Sequence, residues 1–398
     1  MPTYPTYKLG EVAEILDSFR KPINSTERTK RIQGKTENEL YPYYGATGQV
    51  GLIDEYLTDG EYVLVGEDGA PFLEPFKNKS YIIHGKAWVN NHAHILSGKK
   101  YVLSNQYLNY FLNSFDYRGY VNGTTRLKLT QGNLVEIPIS LPPLPTQRAI
   151  VTRIETLFAE LDKGVEKLKT AQQQLKVYKQ AVLNDCLTKG SEKWEKVNIQ
   201  FFLDKSSRGM ITGPFGSALK KSEHQNFGVP VLGIENIGEG AFIMPNKIFV
   251  TEEKAKELKG FSVQSEDIII SRSGTVGEIC KVPSFMNNAL LSTNLIRVRL
   301  NLDVILADYF VLLFQCSQIK QQVKDLCKGT TRAFLNQTIL NQIQFPLPPL
   351  PEQQRIVQEI ETRLSACDEV EKQIAESLQQ AEALRQSILK KAFSGELV

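Results

Sequence analysis

Gly123-Thr124-Thr125-Arg126 and Gly329-Thr330-Thr331-Arg332 stand 206 residues apart and carry one chemistry. Glycine lets the backbone approach a phosphate, threonine hydroxyls donate to it, and a guanidinium can grip two of its oxygens. The same four residues also make a capped turn whose arginine pairs with a local carboxylate, and both readings stand. Two short basic groups join them: Arg28, Lys30 and Arg31 in one polar, loop-like stretch, and Lys220-Lys221 in another. Each is either a phosphate grip or a solvated face. Two further turns align between the halves, Glu67-Asp68 opposite Arg272-Ser273, with Thr275 just beyond. Arginine favours guanine O6 and N7 whereas a carboxylate accepts from cytosine N4, so this swap suits two readers of different bases. Surface drift would look similar. Tyr44, Asn91 and His92 in the first half and Asn294 in the second complete the candidate contacts.

Catalytic signatures are missing. Gly34-Lys35-Thr36 resembles the end of a phosphate-binding loop, but Thr29 stands where its first glycine belongs. There is no GxGxxG, GxSxG, HExxH or kinase pattern, and no acidic set with a lysine that would suggest a nuclease. The two Pro-Pro pairs are flanked by leucines, unlike the Asn/Asp-Pro-Pro-Tyr/Phe of amino-methyltransferases. No catalytic residue is assigned, and binding is the expected role. His92 and His94 form an HxH without a neighbouring cysteine, so strand residues are expected rather than a metal site. The five cysteines are odd in number and never form CxxC, which points to buried reduced thiols.

These residues need a frame, and the frame repeats. Leu141-Pro142-Pro143-Leu144-Pro145, Gln147, Ile150, Val151, Ile154, Glu155, Thr156 and Asp162 recur, without a gap, as Leu347-Pro348-Pro349-Leu350-Pro351, Gln353, Ile356, Val357, Ile360, Glu361, Thr362 and Asp368. The prolines predict stiff elbows before two long helices. The first helix has a heptad seam at Ile150, Ile154, Leu157, Leu161, Leu168 and Leu175, with Gly164, Ala171, Tyr178 and Val182. Gly164 and Ala171 there would permit close backbone approach or leave room for larger partner side chains. The second seam reads Ile356, Ile360, Cys367, Val370, Ile374, Ala381, Leu384 and Ile388, with Leu364 and Leu378 beside it. About forty residues give a rod of roughly 60 Å, better suited to a spacer than to a core hairpin. Residues 141–190 hold eight basic and five acidic side chains, whereas 347–398 hold six and nine. Opposite signs are expected of helices that pair with each other.

Four segments follow: a variable head at 1–140, elbow and helix at 141–190, a second head at 191–346, and elbow and helix at 347–398. Both heads read as mixed α/β in the same order. Glu61–Val65 and Asp267–Ser271 are strand-like and run into the glycine turns. Trp88–His94 and Leu290–Arg297 follow as asparagine-bearing, strand-like runs, and then short aromatic helices at Tyr107–Phe115 and Ala307–Phe314. The expected class is α+β, two α/β domains joined by two long paired helices in a pseudo-two-fold repeat.

At 398 residues, 41% hydrophobic and 23% charged, the composition is that of a globular protein with several domains. The net charge of +3 says little about a partner. Met1 to Lys8 lack the layout of a signal peptide and Val304–Cys316 is too short to span a bilayer. A cytoplasmic location without membrane contact is expected.

The doubled Gly-Thr-Thr-Arg, Leu-Pro-Pro-Leu-Pro and long helix resemble the DNA specificity subunit of type I restriction–modification systems, across essentially the whole chain. Tyr41-Pro42-Tyr43-Tyr44-Gly45-Ala46-Thr47-Gly48, Gly85-Lys86 and Trp88-Val89-Asn90-Asn91-His92 also resemble its target-recognition domains. The resemblance implies that each head reads one half of a split double-stranded DNA target. It implies antiparallel spacer helices that dock two methyltransferase (modification) subunits, with restriction/translocase subunits joining that core. S-adenosylmethionine, ATP and Mg would belong to those partners and no cofactor to this chain. A rod of that length could hold two heads over half-sites about 34–36 Å apart. The rival reading is a coiled-coil adaptor with two protein-binding heads and no DNA.

Overall fold

The computed structural model describes residues 4–215, 218–327 and 334–397. Thr330, Thr331 and Arg332 lie outside the described residues. The chain forms two compact units, residues 1–170 with 374–398 and residues 171–373. Both long helices, Leu144–Thr188 and Leu350–Phe393, contribute to both units.

In the first unit a six-stranded sheet runs Ala13–Ile15, Ala93–Gly98, Thr58–Gly66, Ser80–Val89, Tyr41–Gly45, Gly48–Ile53. Its pairs are antiparallel except that Tyr43 and Tyr44 lie parallel to Trp88 and Val89. The second unit keeps this order but breaks the long strand. Ile279–Lys281 and Ala289–Leu291 replace Ser80–Val89, so two four-stranded sheets form in place of one. One contains Met210–Thr212, Leu295–Val298, Ile268–Ser271 and Ile279–Lys281. The other contains Ile248–Val250, Val229–Leu232, Ala289–Leu291 and Ser262–Val263. The parallel pair survives as Val231 and Leu232 beside Leu290 and Leu291.

The expected asparagine-bearing strands are each two strands and a turn. Asn90 Oδ1 accepts the His92 N–H at 2.8 Å, which ends Ser80–Val89 and turns the chain into Ala93–Gly98. Asparagine favours such a turn because its side chain satisfies a backbone donor two residues on. His92 therefore sits in the turn, while only His94 lies in a strand.

The elbows start helices instead of merely preceding them. Pro145 and Pro351 occupy the first turn, where a missing N–H costs nothing and the fixed φ suits the helix. The glutamine two residues on is fully buried in both copies. Gln147 accepts the Ser104 N–H at 2.9 Å and donates to the Val102 and Pro142 carbonyls at 2.8 and 2.9 Å. Gln353 repeats this on Leu306, Val304 and Pro348 at 2.8, 3.0 and 2.9 Å. Tyr107 donates to the Ser140 carbonyl and Tyr309 to that of Pro346, tying each aromatic helix to its elbow. The helix ends are core. Ile150, Val151, Ile154, Ile388 and Leu389 pack with the first head, and Val182, Cys186, Ile356, Val357 and Ile360 with the second.

Within each unit the helices pair antiparallel. In the first, Asp162 pairs with Arg385; in the second, Lys179 meets Asp368 at 2.7 Å and Arg363 meets Asp185 at 3.2 Å. Ile150 and Ile154 are buried in the first seam, and Leu157, Leu161, Leu168 and Leu175 are partly buried. Several expected seam positions are corrected. Val370 and Leu384 are 44% and 51% exposed, and Tyr178 is exposed. From Ile360, steps of four and three land on Leu364, Cys367, Glu371, Ile374, Leu378, Ala381, Arg385 and Ile388. Leu364 and Leu378 thus belong to the seam, while Glu371 and Arg385 take the places expected of Val370 and Leu384. These charges reach across to Lys179 and Asp162. Gly164 is exposed, with no atom within 4 Å of where a Cβ would stand, so it permits no close approach. All five cysteines are free and buried.

Candidate nucleic-acid interface

The strands Thr58–Gly66 and Ile268–Ser271 each deliver one residue into the same backbone clamp. The Glu67 N–H donates to the His92 carbonyl and the Glu67 carbonyl accepts the Leu129 N–H, both at 2.7 Å. In the second head the Arg272 N–H donates to the Asn294 carbonyl and the Arg272 carbonyl accepts the Leu335 N–H, both at 2.9 Å. Leu129 and Leu335 hold corresponding places after the Gly-Thr-Thr-Arg repeats. Glu67 and Arg272 are therefore one position in two heads.

The side chain there is inverted in charge and turned inward in both. The Glu67 side chain is 15% exposed, gripped by Arg20 and by Lys128 at 3.0 Å. Burial alone would push this carboxyl up; the hydrogen bonds from Arg20 and Lys128 outweigh it and hold it below the ordinary value. Arg20 also pairs with Asp17 at 2.9 Å, and Asp17 meets His94 Nδ1 at 2.6 Å. His94 Nε2 contacts the Leu129 carbonyl at 2.8 Å, closing a polar network behind the turn. Arg272 is 5% exposed and has no carboxylate partner among the described residues. Its guanidinium lies 5.2 Å from the Phe215 ring centre and 4.4 Å from that of Phe334, and bonds the Thr293 and Leu335 carbonyls. A buried carboxylate needs cations around it, whereas a guanidinium packs on aromatic faces and spends its donors on carbonyls. The lining has changed with the charge.

What faces outward is the rim. Asp68 sits between Arg126 at 2.6 Å and His92 at 2.8 Å. Gly69 has φ +68, and the Arg126 Nε stands 3.3 Å from where its Cβ would be, so only glycine lets this arginine lie over the turn. The Arg126 side chain is still 62% exposed, so the carboxylate pair and an open guanidinium coexist. Thr124, Thr125 and Asn91 are exposed nearby. A cavity of about 630 Å³ opens beside Arg126, lined also by Thr47, Phe72 and Thr125. In the second head Ser273 donates to Asn294 Oδ1 at 3.1 Å and Thr275 contacts the Ser271 hydroxyl at 3.3 Å.

The other candidates are placed apart from this turn or are already engaged. Arg28, Lys30 and Arg31 lie on the helix Ser25–Ile32, capped by Asn24, rather than in a loop. Arg31 is bound to Asp54 at 2.6 Å and Glu55 at 2.8 Å, and Arg28 covers the Tyr43 ring at 4.7 Å. Lys30 is exposed, as are Lys220 and Lys221, which sit at a single 3-10 turn. Tyr44 is half-buried against Tyr81. Arg20, Lys128, Phe215 and Phe334 were missed by reading only the identical positions of the repeat, since none of them is identical between the two halves. Lys128 and Phe334 could have been found, because they stand at equal distances beyond the two arginines.

Residues 1–170 and 192–380 match the model of the type I restriction modification DNA specificity domain. The chain belongs to that family. Among relatives, the EcoKI specificity subunit of Escherichia coli K12 is 28% identical over 76% of this chain and 68% of its own length. A Haemophilus influenzae chain described as a type I restriction enzyme specificity subunit is 27% identical over 88% of this chain and 84% of its own. The fold matches a chain solved in a study of complex assembly and conformational transition of the type I R-M system, with TM-score 0.72, 18% identity and 100% and 99% coverage. It also matches the HsdS subunit of Thermoanaerobacter tengcongensis, at TM-score 0.51, 17% identity and 100% and 98% coverage. The α+β class, the internal repeat and the paired helices are thus those of the family, and its DNA-specificity role is favoured over the adaptor. Among the described residues no helix is long and apolar enough to cross a membrane, and no metal-binding cluster occurs.

Proposed function

We propose that this chain reads a bipartite, asymmetric DNA sequence for a type I restriction–modification complex, one half with each head, and performs no chemistry itself. The observation that carries the reading is the shared backbone clamp at Glu67 and Arg272 bearing different rims. One frame with two surfaces is what two half-sites of different sequence require. On this reading the heads are residues 1–140 and 191–346, and the elbow-helix segments set the unread gap. Two modification subunits dock on the helices and bring S-adenosylmethionine; restriction subunits bring ATP and Mg; the assembly works in the cytoplasm. Exposed Arg126, Lys30, Lys220 and Lys221 would supply phosphate contacts, which release counterions and make binding salt-dependent.

A gel shift of the full chain on random duplex, alone and with its modification subunits, across a salt series tests this. Salt-dependent binding is expected. Its absence in both states would return the adaptor reading. Methylation-aware sequencing of host DNA should then yield two unlike half-sequences around a fixed gap, and lengthening both helices by matched heptads should change that gap alone.

A further inference from the structure

Among the described residues, which leave out Arg332, the counterpart of Arg126, the second head carries an apolar surface where the first is charged. Phe215 is 65% exposed, Phe334 38% and Ile234 37%, all at the Arg272–Thr275 turn. The two rings lie against one buried guanidinium, and Ile234 comes 3.7 Å from where a Cβ on Gly274 would stand. At the matching place the first head has Lys128, Arg126, Asp68 and His92, all hydrogen-bonding groups. Polar groups of the second turn are engaged within it: the buried guanidinium bonds two carbonyls, Ser273 donates to Asn294, and Thr275 contacts Ser271. Open aromatic surface is what this turn offers a groove.

Resting on the DNA reading above, we propose that Phe215 and Phe334 determine specificity in the second head by packing on the 5-methyl group of a thymine in the major groove. Thymine is the base that presents a methyl there, and phenylalanine is a side chain suited to meet it. A wedge between base steps is the other use of an exposed aromatic, and it needs a ring free to enter the stack. Here each ring has a face against Arg272, which fixes it as a wall. The first head, by contrast, reads through charge and hydrogen bonds.

The test uses the full chain with its modification subunits and a duplex bearing the motif recovered by methylation-aware sequencing. Each thymine of both half-sites is replaced singly by deoxyuridine, which removes only the methyl. One position should bind about three- to fivefold more weakly, the worth of roughly one buried methyl group. Phe215→Ala or Phe334→Ala should abolish that penalty while leaving deoxyuridine effects elsewhere unchanged. Phe215→Leu, which keeps an apolar contact, should retain part of it. A penalty nowhere, or one that persists in both alanine variants, overturns the proposal. If instead the unsubstituted duplex shows no salt-dependent binding at all, it is the DNA reading that fails.

Discussion

Replacing Glu67 by glutamine separates a frame residue from a base reader. The change keeps the shape and removes the charge held by Arg20 and Lys128. Removing one member of a buried ion pair costs about 3–5 kcal/mol when its partner is left uncompensated. Arg20 is not stranded, because Asp17 and the Ala93 carbonyl still hold it at 2.9 and 3.1 Å. Lys128 is half exposed and adds little. A loss of about 2 kcal/mol at neutral pH follows from these two corrections. The pH dependence has a definite sign. The folded-state pKa of Glu67 lies below the ordinary glutamate value, so its contribution is present above that value and lost as pH falls through the lowered one. Urea denaturation of the wild type and Glu67→Gln should therefore show the full gap at about pH 7 and a shrinking one below about pH 4. Both half-sequences, read by methylation-aware sequencing, should persist. Unchanged stability together with an altered half-sequence would refute this reasoning and make the carboxylate a base contact.

Gln147→Leu and Gln353→Leu each orphan one N–H and two carbonyls, so each should cost about 3–5 kcal/mol, and by similar amounts; a loss in urea midpoint worth under about 1 kcal/mol would deny the bracket its role. Val370→Lys and Leu384→Lys should stay within about 0.5 kcal/mol of the parent, whereas Ile374→Lys should cost several times more; thermal melting separates the expected seam from the observed one. Asp68→Ala frees Arg126 and should tighten DNA binding a few-fold, while Arg126→Ala should weaken it and lower the salt slope by about one; identical slopes in a gel-shift series would place Arg126 off the phosphates. The five buried thiols should resist an aqueous thiol reagent until urea unfolds the chain, and rapid labelling of the folded chain would contradict their burial.

The repeat made much of this molecule legible. Gly-Thr-Thr-Arg, Leu-Pro-Pro-Leu-Pro and the glutamine after it marked the elbows, because proline geometry is local and needs no neighbour. The long helices and most of their seams followed from periodicity, their pairing from opposite charge, and its antiparallel sense from the family resemblance. Val370 and Leu384 were misplaced because an apolar side chain one position off the seam reads like one in it. Only the facing helix, with Lys179 and Asp162, decides that Glu371 and Arg385, rather than their apolar neighbours, reach across the pair.

By itself the sequence determined the order of elements, the doubled frame and the positions where the two heads differ. Tertiary structure decided which way those differing side chains face. Glu67 and Arg272 looked like a swapped pair of base readers, yet both turn inward, each into a lining of matching character drawn from segments far away in the chain. The reason is physical: a charge is buried only where distant residues supply its counter-charges or aromatic walls. No local pattern carries that information, and it moves the search for specificity from the turn residue itself to the rim around it.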